Sequence, residues 1–120
     1  MEEKKKEKKE IKSRKFNLFG SKWTIKFVKN VMSDDREPVW LFGKTDDSKR
    51  LILISTHDCD DTPLPASEIR ITILHELSHA ILGTGQYMNC NADEPLVEWL
   101  ARCIFALMES GTLDFINKIV

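Results

Sequence analysis

The chain has 120 residues, 42% of them hydrophobic and 31% charged, which suits one domain with one modest core. No apolar run approaches the ~20 residues that a membrane-spanning helix needs. The formal net charge of −1 hides a basic start on an acidic body: residues 1–15 carry eight Lys/Arg and four Glu, while residues 16–120 carry ten Lys/Arg and fifteen Asp/Glu. An acidic body argues against nucleic-acid binding by the domain itself.

Residues 1–15, MEEKKKEKKEIKSRK, hold one large hydrophobe, Ile11, and are read as a disordered basic tail. Contact with nucleic acid is expected only weakly and only there. The charged N-terminus has no apolar segment of the signal-peptide kind. Cys59, Cys90 and Cys103 are too few and too scattered for a disulfide framework or a Cys-x-x-Cys zinc site. An odd cysteine count fits a reducing compartment, so a cytoplasmic location is expected, with no membrane partner. Residues 16–120 are read as one domain.

Trp23, Ile25 and Phe27 alternate with Lys22, Thr24 and Lys26, the period of a strand with one wet face. Ser33 to Pro38 interrupts the chain, and Val39 to Phe42 reads as a second strand. Gly43 to Lys49 reads as a polar turn. Leu51 to Ile54 is apolar on both faces and reads as a central strand. Short connections suggest a three-stranded antiparallel meander.

His57 to Pro65 is a polar loop, in which Pro63 and Pro65 exclude helix interior. From about Ala66 to Leu82 a long helix is expected, with Ile69, Ile73, Leu74, Leu77 and Ile81 on its apolar face and Gly83 and Gly85 as stops. Asp93 is placed to cap a second long helix, with Pro95 in its first turn. That helix runs to about Met108 and buries Val97, Leu100, Ala101, Ile104, Leu107 and Met108. A short helix over 113–120 follows. These elements make an α+β domain, with an HExxH helix and a second helix packed on a small sheet.

The chemistry lies in His75-Glu76-Leu77-Ser78-His79. Residues four apart share a helix face, so His75 and His79 can hold one Zn²⁺ ion. Glu76 is then the candidate general base toward a water at the metal's open position. No His follows His79, so a third ligand must come from elsewhere; Cys90 and Cys103 can ligate, but a thiolate is unusual beside two histidines in a peptidase, and Glu94 and Glu98 on the next helix are the strong candidates. If residue 83 lies opposite residue 94, residue 79 lies opposite about residue 98. Glu98 is therefore preferred and Glu94 is the alternative, which would otherwise orient a histidine from its far nitrogen. Asp93 or an Asp of the 58–61 loop could do the same. Tyr87, in the loop between the two helices, is the candidate donor toward the developing oxyanion, with His57 as a second candidate. Asp58, Asp60 and Asp61 lack the spacing of a calcium loop.

His75-Glu76-Leu77-Ser78-His79 followed by a Glu on the next helix resembles the gluzincin pattern of zincin metallopeptidases. The segment HELSHAILG is similar to small bacterial and phage metallopeptidases of the ImmA/IrrE type and to compact proteins of mobile elements. Asp93 to Ala101 resembles the second helix of that group. The resemblance implies a zincin-like domain, a bound zinc and a protein or peptide substrate, with a helix-turn-helix repressor as one such partner. Thermolysin-like gluzincins carry an acid four residues beyond the ligand Glu. Here that position is Arg102 counted from Glu98, or Glu98 counted from Glu94.

Two functions are expected from these residues. One is a zinc-dependent metallopeptidase that hydrolyses peptide bonds in a specific intracellular protein. The other is a catalytically weak zincin-fold regulatory or protein-binding module with a structural zinc.

Overall fold

A computed structural model describes residues 13–118. The chain forms β1 (Ser13–Leu18), β2 (Ser21–Val28), β3 (Val31–Met32), β4 (Trp40–Leu41), β5 (Gly43–Asp46) and β6 (Leu51–Ser55). Four helices follow: α1 (Ala66–Thr84), α2 (Met88–Asn91), α3 (Glu94–Glu109) and α4 (Thr112–Asn117). The first strand begins at Ser13, within the stretch expected as tail. The remainder of that stretch lies outside the described residues, as do the last two residues of the expected final helix.

The α+β class is as expected, but the sheet differs. It has four strands in the order β1-β2-β6-β5, and β3 and β4 form a separate two-stranded ribbon. β1 and β2 are a hairpin closed by Phe19 and Gly20, both at positive φ (50° and 85°). That is the backbone a tight two-residue hairpin turn demands, and Gly20 adopts it freely. β2 and β6 pair in parallel, so the expected meander is replaced by a crossover that contains β3, β4 and β5. Val39 to Phe42 supplies only Trp40 and Leu41 to the small ribbon. Gly43 to Asp46, expected as turn, is the antiparallel edge strand beside β6. Its polar composition is tolerable because an edge strand pairs through its backbone on one side only.

The core lies between this sheet and α1. Trp23, Ile25, Ile52, Ile54 and Ala80 are buried together, with Phe16, Phe27, Ile69, Ile73 and Leu77 packed around them. Ile69, Ile73, Leu77 and Ala80 recur at three- and four-residue steps, so one face of α1 covers the sheet. Ile81 falls off this face and stays exposed. α3 packs along α1 through Val97 and Ala101, both fully buried. Ser78 is also fully buried, and its hydroxyl donates to the Leu74 carbonyl one turn back. Small residues at these positions let the two helices approach closely. α3 begins as expected: Asp93 is its N-cap, accepting from the Leu96 amide. Its far end does not pack as expected, since Leu107 and Met108 are exposed.

Candidate metal centre

α1 presents His75 and His79 one turn apart, with ring centroids 5.0 Å from each other. Both rings are half-buried. α3 runs past them and brings up two carboxylates. Glu94 sets Oε1 3.1 Å from His75 Nε2 and Oε2 3.3 Å from His79 Nε2. Glu98 lies on the other side of the first ring, where His75 Nδ1 donates to its Oε1 at 2.8 Å. The second ring is held in the same manner: His79 Nδ1 donates to Asn91 Oδ1 at 2.6 Å.

A neutral imidazole has one N–H. With that proton at Nδ1, toward Glu98 Oε1 and Asn91 Oδ1, both Nε2 lone pairs face the oxygens of the Glu94 carboxylate. Acceptor set against acceptor repels unless both rings are protonated or a cation lies among them. A divalent cation among them would relieve the contacts at both Nε2 atoms, so the donor set fits such an ion. Ligand atoms of His75, His79 and Glu94 all lie within 4.8 Å of one another. The cluster is zincin-like and able to chelate a divalent metal such as Zn²⁺. Among the two acidic candidates, the structure therefore brings Glu94 to the histidine pair and puts Glu98 behind His75. Glu98 is also held by Arg102, whose Nε donates to Oε2 at 2.6 Å. Partial burial pushes the Glu98 carboxyl up, but the His75 hydrogen bond and the Arg102 charge outweigh it and hold it below the usual carboxylate range.

Glu76 points to the sheet side of α1 and is 7% exposed. Thr45, on β5, reaches it from the sheet. The Thr45 hydroxyl lies 2.6 Å from Glu76 Oε1 and 3.1 Å from the Glu76 carbonyl. Burial pushes the Glu76 carboxyl up, against the lowering influence of Thr45 and the two histidines. β5 passes so near that a Cβ on Gly43 would sit 3.0 Å from Glu76 Cγ and 2.9 Å from Thr72 Cγ2. Glycine here is thus a matter of close approach rather than of backbone angle.

A cleft of about 560 Å³ joins these groups. Its walls include Phe42, Gly43 and Thr45 on one side and Glu94, Glu98 and Arg102 on the other, with His75, Glu76 and His79 along the floor. Tyr87 is not part of this lining. It is 63% exposed at the start of α2, with its ring against Gly85. His57 also stands apart; its carbonyl accepts from Asn30 and from the Trp40 indole, and its ring meets Thr56. Asp58 is occupied by its own loop, accepting from the amides of Asp60 and Thr62.

Two residues of the site escaped the sequence reading, Asn91 and Thr45. Asn91 sits in a stretch expected as loop, where α2 forms. Thr45 sits in a stretch expected as turn. Neither carries a local motif, since each meets its partner through the tertiary fold. The chain matches no family model, no curated protein and no solved structure, so the chemistry of this centre is read from its own geometry.

Proposed function

We propose that this chain is a zinc-dependent metallopeptidase of gluzincin type, with His75, His79 and Glu94 as metal ligands and Glu76 as general base. The observation that carries the reading is the Glu94 carboxylate set against both Nε2 atoms while each Nδ1 is held elsewhere. Zinc bound there would polarise a peptide carbonyl and favour its developing negative charge. Glu76 takes a proton from a water in the cleft as that water attacks the carbonyl, and delivers it to the leaving amine. Thr45 orients the base by holding one carboxylate oxygen. Glu98 and Asn91 fix the rings and keep both Nε2 lone pairs available. Glu98 thereby stands four residues beyond Glu94, where thermolysin-like gluzincins carry their supporting acid. The free edge of β5 borders the cleft, and an extended peptide can pair with it.

The walls offer little surface for general substrates, which favours one protein partner. The resemblance to ImmA/IrrE-type proteins of bacteria, phages and mobile elements makes an intracellular helix-turn-helix repressor the substrate class to try first. Replacing Glu76→Gln should leave zinc bound and abolish peptide cleavage. Undiminished cleavage by that variant, or absence of metal from protein purified without chelator, would overturn the proposal.

One observation favours a second reading, a catalytically weak zincin-fold regulatory or protein-binding module with a structural zinc. Tyr87, the expected donor to the oxyanion, stands off the cleft, and the lining cation Arg102 is engaged by Glu98. Zinc-loaded protein that binds its partner without cutting it would select this reading.

A further inference from the structure

The cleft holds more acid than the chemistry above uses. Asp47, Glu68, Glu76, Glu94 and Glu98 line it, and Arg102 is the one Lys or Arg among the lining residues. Arg102 is paired with Glu98, and an ion held by the histidines would offset Glu94 and Glu76. Asp47 and Glu68 are left over. Among the described residues, neither is within salt-bridge distance of a Lys or Arg. Glu68 has a local reason to be where it is: it stands in the first turn of α1, where the helix dipole favours a carboxylate. Asp47 has the opposite setting. Its carboxylate lies against the last turn of α1, where a Cβ on Gly83 would sit 3.1 Å from Oδ2 and 3.2 Å from Oδ1. That is the negative end of the helix dipole, and the turn carries no basic residue of its own. A carboxylate placed there is repelled by the helix end until a cation joins it.

We infer that Asp47 is a specificity residue, which receives a lysine or arginine side chain of the substrate; the course of the substrate rests on the peptidase reading. The strand beside the cleft fixes where that side chain falls. β5 and α1 run in the same direction, with Gly43 against Thr72 and Glu76, Thr45 against the Glu76 carbonyl, and Asp47 against Gly83. Gly83 lies six residues past the midpoint of His75 and His79, about 9 Å along the helix. That is two to three residues of extended chain at ~3.4 Å each. An edge strand pairs most favourably with an antiparallel neighbour, as β5 does with β6. A peptide laid in that way on the free edge of β5 runs from Asp47 toward Gly43. The basic residue is therefore the second or third before the cleaved bond. Arginine should be preferred to lysine, because its planar fork meets a carboxylate with two parallel hydrogen bonds.

The Glu76→Gln protein, which should hold zinc without cutting, lets recognition be read apart from cleavage. A pool of random-sequence decapeptides is passed over this zinc-loaded protein on a support, and the retained fraction is sequenced by mass spectrometry. Arginine and lysine should be enriched about fivefold over the pool, the upper range of a solvent-exposed charge pair. Adding Asp47→Asn should remove most of that enrichment, and adding Asp47→Lys should turn it toward Asp and Glu. Adding Glu68→Gln should leave most of it in place. Asp47 is exposed, so circular dichroism and zinc content should stay those of the parent. Absence of basic enrichment, or equal loss with Asp47→Asn and Glu68→Gln, overturns the inference. Where the wild-type chain cuts the same pool, Arg or Lys should stand second or third before the cut, and basic residues confined to the far side of the cut overturn the assignment. Enrichment through Asp47 with no cutting by the wild-type chain would defeat the peptidase reading and leave the basic ligand of Asp47 standing.

Discussion

At the scale of single residues, the histidine pair was legible in the sequence, and its carboxylate only as a choice between Glu98 and Glu94. Spacing of four places His75 and His79 on one face whatever the rest of the chain does. Choosing between Glu94 and Glu98 required the register of α3 against α1, which was taken from a symmetric helical hairpin. α1 instead continues to Thr84, and α2 occupies the connection. The start of α3 is thereby brought down to the level of the histidines. Substitution at the two positions separates the roles. Glu94→Ala should remove zinc binding outright, whereas Glu98→Ala should retain the metal with affinity reduced about 10- to 100-fold, as measured by competition with a chromophoric chelator. Glu76 gives a prediction in pH. Burial raises its folded pKa above the unfolded value, so its contribution to stability is full below the unfolded value and is lost as pH rises through the folded one. Metal-free protein should therefore lose stability across that window, and Glu76→Gln should flatten the loss in thermal melts at successive pH values.

At the scale of elements, the helices were read well and the sheet poorly. α1 and α3 announce themselves by caps, prolines and apolar spacing, which are local signals. β1 went unread because its turn, Phe19-Gly20, lacks the usual Asn-Gly or Asp-Gly signature. β5 went unread because Gly43 to Asp46 has the composition of a turn, and only pairing with β6 makes it a strand. β5 nevertheless supplies the wall of the cleft and the hydroxyl on Glu76. Gly43→Ala should press on Glu76 and Thr72 and displace the strand, at a cost of about 1–3 kcal/mol in denaturant melts. Cleavage should fall further than stability alone explains, while zinc binding through α1 and α3 persists. Thr45→Val keeps the shape and removes the donor, so it should lower kcat more than it changes KM, with Thr45→Ser restoring most of the loss.

At the scale of the whole molecule, the candidate metal centre lies where α1 and α3 pack together around Val97, Ser78 and Ala101. Two of the candidate ligands come from α1 and one from α3, so an ion bound there would close the helix pair. Chelation should lower the melting temperature and excess zinc should restore it, with the stabilisation reaching about 4 kcal/mol at a free zinc concentration a thousandfold above Kd. Glu94→Ala should abolish this shift. Among the described residues, no helix is long and apolar enough to cross a membrane. The sequence by itself determined the α+β class, the two long helices and the pairing of His75 with His79 on one helix face, because helical periodicity and capping act within a few residues. Only the tertiary structure decided the parallel β2–β6 pair, the edge strand β5, the placing of Glu94 and the partners Thr45, Glu98 and Asn91. Those depend on strand pairing and helix register between separate segments, as many as 31 residues apart for Thr45 and Glu76. Such contacts are set by how the core closes, and no local pattern of residues encodes them.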